Sequence, residues 1–150
     1  DKGYPFDVIE AVISTSFDEL LDVQHRIDAL RAAREWKDFE SIVIGFKRAI
    51  NILKGSPSRK KIDPSLFSES VERNLYQSFL KAKERIGLHL NKRDYESALL
   101  EMVQMKRPID EFFDGVMVMV EDETIRDNRL ALLDGIGKLF LRIADFSKLT

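Results

Sequence analysis

The chain has 150 residues, 44% apolar and 33% charged, with a formal net charge of -2, a mixture too hydrophobic for intrinsic disorder and too charged for a membrane protein. Its longest apolar run, Val116 to Val120, falls far short of the roughly 20 residues that cross a bilayer, which excludes a membrane-spanning helix. The absence of cysteine removes disulfides, thiolate nucleophiles and cysteine-based zinc sites and fits a cytoplasmic protein, and the net charge confines any nucleic-acid role to a local patch.

A chain of this length buries roughly 70% of its unfolded surface around one core, so a single domain over residues 1–150 is expected. The opening Asp1-Lys2-Gly3-Tyr4-Pro5 has no initiating Met and no signal-peptide layout, and it reads as the start of a piece of a longer protein. Only 7 Gly and 4 Pro interrupt apolar residues spaced by three and four, which predicts an all-α fold. Pro5 suits the first turn of a helix that carries Val8, Ile9, Val12 and Ile13. Ser16 and Glu19 have capping-box spacing, so a second helix is expected from Phe17 with Leu20, Val23, Ile27 and Leu30 on its buried stripe. Asp38 is placed to cap a third, with Phe39, Ile42, Val43, Phe46, Ile50 and Leu53 in line and Gly55 at its end.

A long loop follows to Pro64. Ser68 then opens a helix with Val71, Leu75, Phe79, Ala82 and Ile86, and Tyr95, Ala98, Leu99, Met102 and Val103 form the next. Pro108 disfavours helical geometry at Arg107 and marks a boundary. Beyond it Ile109, Phe112, Phe113, Val116, Met117 and Val120 share a helical stripe, although Val116 to Val120 alone reads as a buried strand. The last helix aligns Ile125, Leu132, Ile136, Leu139, Phe140 and Ile143. About seven helices with short linkers predict an antiparallel bundle.

Catalytic signatures are missing. His25 and His89 belong to no zinc or di-iron motif, and there is no Gly-rich phosphate loop and no nucleophile elbow. No catalytic residue, metal ligand or cofactor is therefore assigned. Carboxylates cluster from Asp110 to Asp127, but they are better read as helix-terminal and exposed charge than as a metal site. Arg129 falls on the apolar stripe of the last helix and needs a partner there, for which Asp114, Glu121 and Asp122 are the candidates. Between Lys47 and Lys61 stand six bases, Lys47, Arg48, Lys54, Arg59, Lys60 and Lys61, and no acid. Lys47, Asn51 and Lys54 project to one flank of the third helix and Arg48 lies further round. Lysine and arginine suit phosphates, and the Asn51 amide suits a base edge. A second basic run comprises Lys81, Lys83, Arg85, Lys92 and Arg93. A solvated helix face is the plainer account of both runs.

The string from Phe112 through Val116-Met117-Val118-Met119 to Asp122, then Arg126-Asp127-Asn128-Arg129-Leu130-Ala131-Leu132-Leu133 and Ala144-Asp145-Phe146-Ser147-Lys148-Leu149, resembles the end of the β subunit of bacterial glycyl-tRNA synthetase. Lys47-Arg48-Ala49-Ile50-Asn51-Ile52-Leu53 and Tyr95-Glu96-Ser97-Ala98-Leu99 are similar to that family's upstream pattern. The resemblance implies a helical anticodon-binding domain related in fold to that of arginyl-tRNA synthetase. Asp28-Ala29-Leu30-Arg31 spells the letters that name the wider superfamily. It further implies glycine tRNA as partner and a non-catalytic part of a glycine-tRNA ligase. The α subunit, with ATP and magnesium, would perform the chemistry, and that subunit and the rest of the β subunit would be protein partners. Lys47, Arg48, Asn51 and Lys54 carry over as motif matches, with Arg59, Lys60 and Lys61 added by charge. The alternative is a structural helical domain that stabilises the β subunit or its assembly with α.

Overall fold

The computed structural model describes residues 6–58 and 60–149, with side chains from residue 19 onward. Among the described residues six α-helices follow one another: α1 (Phe6–Ala33), α2 (Phe39–Gly55), α3 (Ser70–Asn91), α4 (Tyr95–Val103), α5 (Lys106–Gly115) and α6 (Glu123–Leu141). Short 3-10 turns occupy Pro64–Leu66 and Phe146–Lys148, and there is no strand among the described residues. The all-helical expectation holds, whereas the count of about seven does not.

The difference lies at the start. The two helices expected on either side of Ser16 are one, because α1 runs unbroken for 28 residues. Ser14, Thr15 and Ser16 are only mildly poor helix formers, and without Gly or Pro nothing forces a stop. The side chains of Val8, Ile9, Val12 and Ile13, and all of Pro5, lie outside the described residues. Of the expected stripe only Leu30 packs against the core. Leu20, Val23 and Ile27 are 66%, 52% and 40% exposed, while Ala29 and Ala33 on the opposite face are buried.

Three other boundaries move. Glu69 rather than Ser68 precedes α3, and its amide donates to the carboxylate of Glu72 at 3.0 Å. The break before α5 falls at Gln104 and Met105, so Pro108 sits in the first turn of α5, where its missing N–H costs no helical bond. After Gly115 the chain leaves the helix, with Val116 extended at φ -137° and ψ 152°. The helical stripe expected through Met117 and Val120 is therefore absent. β-Branched Val116 favours extended backbone, and a turn at Val118 and Met119 then places Val118 inward while Met117 and Met119 face outward.

One core runs through the bundle, joining Leu75, Phe79 and Ile86 of α3, Leu99 and Met102 of α4 and Ile109 and Phe112 of α5 to the layer where α2 and α6 meet. Phe39, Ile42, Phe46 and Ala49 of α2 are buried with Leu132, Leu133, Ile136 and Phe140 of α6. Phe146 closes the end of this layer, its ring 5.8 Å from that of Phe46 and 6.5 Å from that of Phe140.

Candidate nucleic-acid interface

Burial of one face of α2 leaves Ile44, Arg48, Asn51 and Gly55, spaced by three and four, as its exposed edge. A cleft lies on each side. One, of about 300 Å³, is lined by Arg34, Phe39, Val43, Lys47 and Leu149, and the other, of about 520 Å³, by Arg48, Ile52, Phe113, Met117 and Met119 among others.

The basic residues singled out by sequence occupy different settings around this edge. Lys47 is half-buried and donates through Nζ to the Leu149 carbonyl. Lys54 is exposed on the same flank and faces Asp145, whose carboxyl is held below its ordinary pKa by the Ser147 hydroxyl first, with Lys148 and Lys54 adding to the effect. Arg48, on the other flank, places its guanidinium carbon 4.2 Å from the Phe113 ring centroid. Asn51 and Lys61 are exposed. Lys60 pairs with Asp127 of α6 at 3.2 Å, and Arg59 lies outside the described residues. Lys47, Arg48, Asn51 and Lys54 thus share one helix, while Lys60 is carried across to α6.

The first turns of α6 organise the loops beside this surface. Four consecutive side chains reach out to neighbouring segments: Arg126 donates to the Val120 carbonyl at 3.4 Å, Asp127 holds Lys60, Asn128 exchanges two hydrogen bonds with the backbone of Asp63 at 2.8 and 2.9 Å, and Arg129 donates to the Met117 carbonyl at 2.7 Å. Both Asn128 and Arg129 are buried. The expected partners of Arg129 need correcting. Its carboxylate partner is Glu72 of α3, fully buried, with Nε to Oε2 at 3.2 Å and Nη2 to Oε1 at 3.3 Å. Asp114 and Glu121 are exposed, and Asp122 accepts from the Ile125 amide as the cap of α6. A buried guanidinium needs a carboxylate that is also removed from water, and these three are at the surface.

Burial pushes the Glu72 carboxyl up, but the Arg129 guanidinium and the amides of Glu69 and Ser68 outweigh it, so its pKa lies below the ordinary glutamate value. Sequence reasoning missed Glu72, Asn128, Phe113 and Met117. For Glu72 a signal existed: it stands three residues before Leu75 and seven before Phe79, on the inward stripe of α3.

Elsewhere several bases are paired with carboxylates. On the α3 cleft lined by Lys81 and Arg85, Glu101 of α4 lies 3.8 Å from Arg85 and 3.7 Å from His89. Arg93 lies 4.0 Å from Asp22. Lys106 pairs with Asp110 and Arg107 with Glu111, each at 2.8 Å. Among the described residues no three His, Asp or Glu side chains are grouped to hold a metal ion, and no helix is long and apolar enough to cross a membrane.

Residues 42–144 match the profile of the DALR anticodon binding domain. The chain belongs to the DALR anticodon-binding family. The matched stretch includes most of α2, the α6 clamp and both loops it holds, whereas the Asp28-Ala29-Leu30-Arg31 tetrad lies upstream of it on α1. This DALR chain is also 45% identical over 148 residues to the glycine--tRNA ligase beta subunit of Syntrophus aciditrophicus, an alignment covering 99% of the chain and 21% of the relative. It is 44% identical over 147 residues to the protein of that name from Geotalea daltonii, covering 98% and 21%. With the protein of that name from Sulfurihydrogenibium sp. it shares 38% over 148 residues, covering 99% and 22%. The chain spans about a fifth of the length of the curated relatives it matches.

Proposed function

We propose that this DALR domain binds the anticodon stem and loop of glycine tRNA as part of the β subunit of a glycine-tRNA ligase. In this reading aminoacylation belongs to the α subunit with its ATP and magnesium, in the cytoplasm. The helices are taken to form an antiparallel bundle similar to the anticodon-binding domain of arginyl-tRNA synthetase. The observation that carries the reading is the exposed edge of α2: within a matched anticodon-binding domain, Arg48, Asn51 and Lys54 stand in a stretch with six bases and no acid. Lys54 supplies charge for phosphates, Asn51 offers both donor and acceptor to a base edge, and Lys47, Arg48, Arg59, Lys60 and Lys61 add positive potential around them.

Titration with a glycine-tRNA anticodon stem-loop over a series of salt concentrations tests this. Affinity is expected to fall with salt by a slope of about -0.7 for each single-stranded phosphate neutralised. Lys54→Glu should weaken binding to every stem-loop and flatten that slope. Asn51→Ala should mainly reduce the preference for the glycine anticodon. Equal binding and equal discrimination by both variants would refute the assignment.

The second reading, a structural domain, is favoured by one observation. Leu20, Val23 and Ile27 form an outward apolar stripe on α1, the kind of surface that packs against protein. It predicts loss of assembly, without loss of RNA affinity, when these residues are made polar.

A further inference from the structure

The cleft of about 520 Å³ between α2 and the loop after α5 has features that the charge argument does not use. Met117 is 70% exposed and Met119 47% exposed, while Val118 between them is buried at 6%. Two thioethers are thus held outward on a segment whose backbone is fixed. Arg129 holds the Met117 carbonyl at 2.7 Å and Arg126 that of Val120 at 3.4 Å. Facing them, Arg48 lies over Phe113 with its guanidinium carbon 4.2 Å from the ring centroid, and the residue as a whole is exposed. Asp114 is the one carboxylate among the residues that line the cleft.

We infer that this cleft receives a single unstacked base of the bound RNA loop, laid on the Arg48 guanidinium and gripped by Met117 and Met119. The inference rests on the RNA-binding reading above and adds to it the chemistry of one subsite. A guanidinium that already covers an aromatic ring is a flat, cationic platform of the kind on which unstacked bases lie. Methionine is flexible and polarizable and packs well against the edge of a ring. Asp114 disfavours a phosphate at this point and accepts hydrogen bonds only, so it favours a base whose exocyclic amino group donates to it over uracil, whose single N3–H donor stands between two carbonyl oxygens that the carboxylate repels. The occupant is therefore a base rather than a stretch of backbone.

The test uses the intact protein and a set of anticodon stem-loops in which each loop base in turn is removed. The parent is expected to lose about 10-fold or more in affinity for the RNA lacking one particular base. In Arg48→Lys, which keeps the charge but loses the plane, and in Met119→Ser, that same RNA should lose less than 3-fold, with the salt slope unchanged. Unfolding midpoints equal to the parent's establish that both variants are folded. Replacing the sensitive base by uracil should cost the parent more than it costs Asp114→Asn. If every abasic RNA is penalised equally in parent and variants, the subsite is overturned while RNA binding stands. If Met119→Ser leaves all RNA affinities unchanged but abolishes assembly with a protein partner, the cleft is a protein contact and the inference falls. Absence of RNA binding by the parent overturns both the functional reading and the subsite.

Discussion

Helices α1 and α6 both carry apolar residues at helical spacing, yet they join the molecule in opposite ways. Along α6, Leu130 to Leu133, Ile136, Leu139 and Phe140 are all buried, and even Asn128 and Arg129 are inside. On the described part of α1, Leu20, Val23 and Ile27 face outward, and the helix packs against α4 through smaller and polar side chains. Tyr95 donates to Asp22, Arg26 lies 4.4 Å from the Tyr95 ring centroid, and Arg26 donates to the carbonyls of Arg142 and Ile143 at 3.1 and 2.7 Å. An apolar stripe states which face of a helix gains by burial. What covers that face depends on how many neighbours the helix has.

The largest expected effect lies on α6. Arg129→Ala should cost about 3–5 kcal/mol in chemical unfolding, because it leaves the Glu72 carboxylate buried without its cation. An unchanged unfolding midpoint would remove the contrast between the two helices. Leu132→Ala, at a fully buried position, should cost about 2–5 kcal/mol by loss of transfer energy and creation of a cavity.

The same pair gives a pH prediction. The folded-state pKa of Glu72 is depressed below 4.5, so its contribution is fully present above that value and is lost as pH falls through the folded pKa. Stability measured against pH should therefore fall in this acidic window in the parent. In Glu72→Gln that part of the slope should vanish, and an identical acid slope in the two proteins would disprove the assignment.

Changes on α1 should be smaller and more local. Arg26→Ala removes both carbonyl contacts at the end of α6 and should speed amide exchange in the middle of α1 by about 10-fold, the scale of one or two net hydrogen bonds, while exchange in α6 is unaffected. Exchange rising equally in both helices would make α1 part of the same cooperative unit. The smallest effect is expected for Val23→Ala, within about 0.5 kcal/mol of the parent. A loss as large as that of Leu132→Ala would show that the outward stripe is covered after all.

Much of this was determined by the sequence alone. Helical spacing and the lack of Gly and Pro set the all-α class, and residues such as Phe39, Ile42, Phe46, Leu75, Phe79, Ile136 and Phe140 were legible as core, since burial repeats with the helical period. The acid-free basic stretch from Lys47 to Lys61 and the resemblance at Phe112 to Asp122 were legible for the same reason, being local in the chain. Tertiary structure alone decided which face of α1 turned inward, which carboxylate met Arg129, and that Val116 to Val120 left the helix to present Met117 and Met119. Each of these depends on a partner far away in sequence: Glu72 stands 57 residues before Arg129, and Arg26 stands 116 residues before Arg142. Periodicity records the preference of a segment for burial or water, and it contains no term for the neighbour that satisfies it.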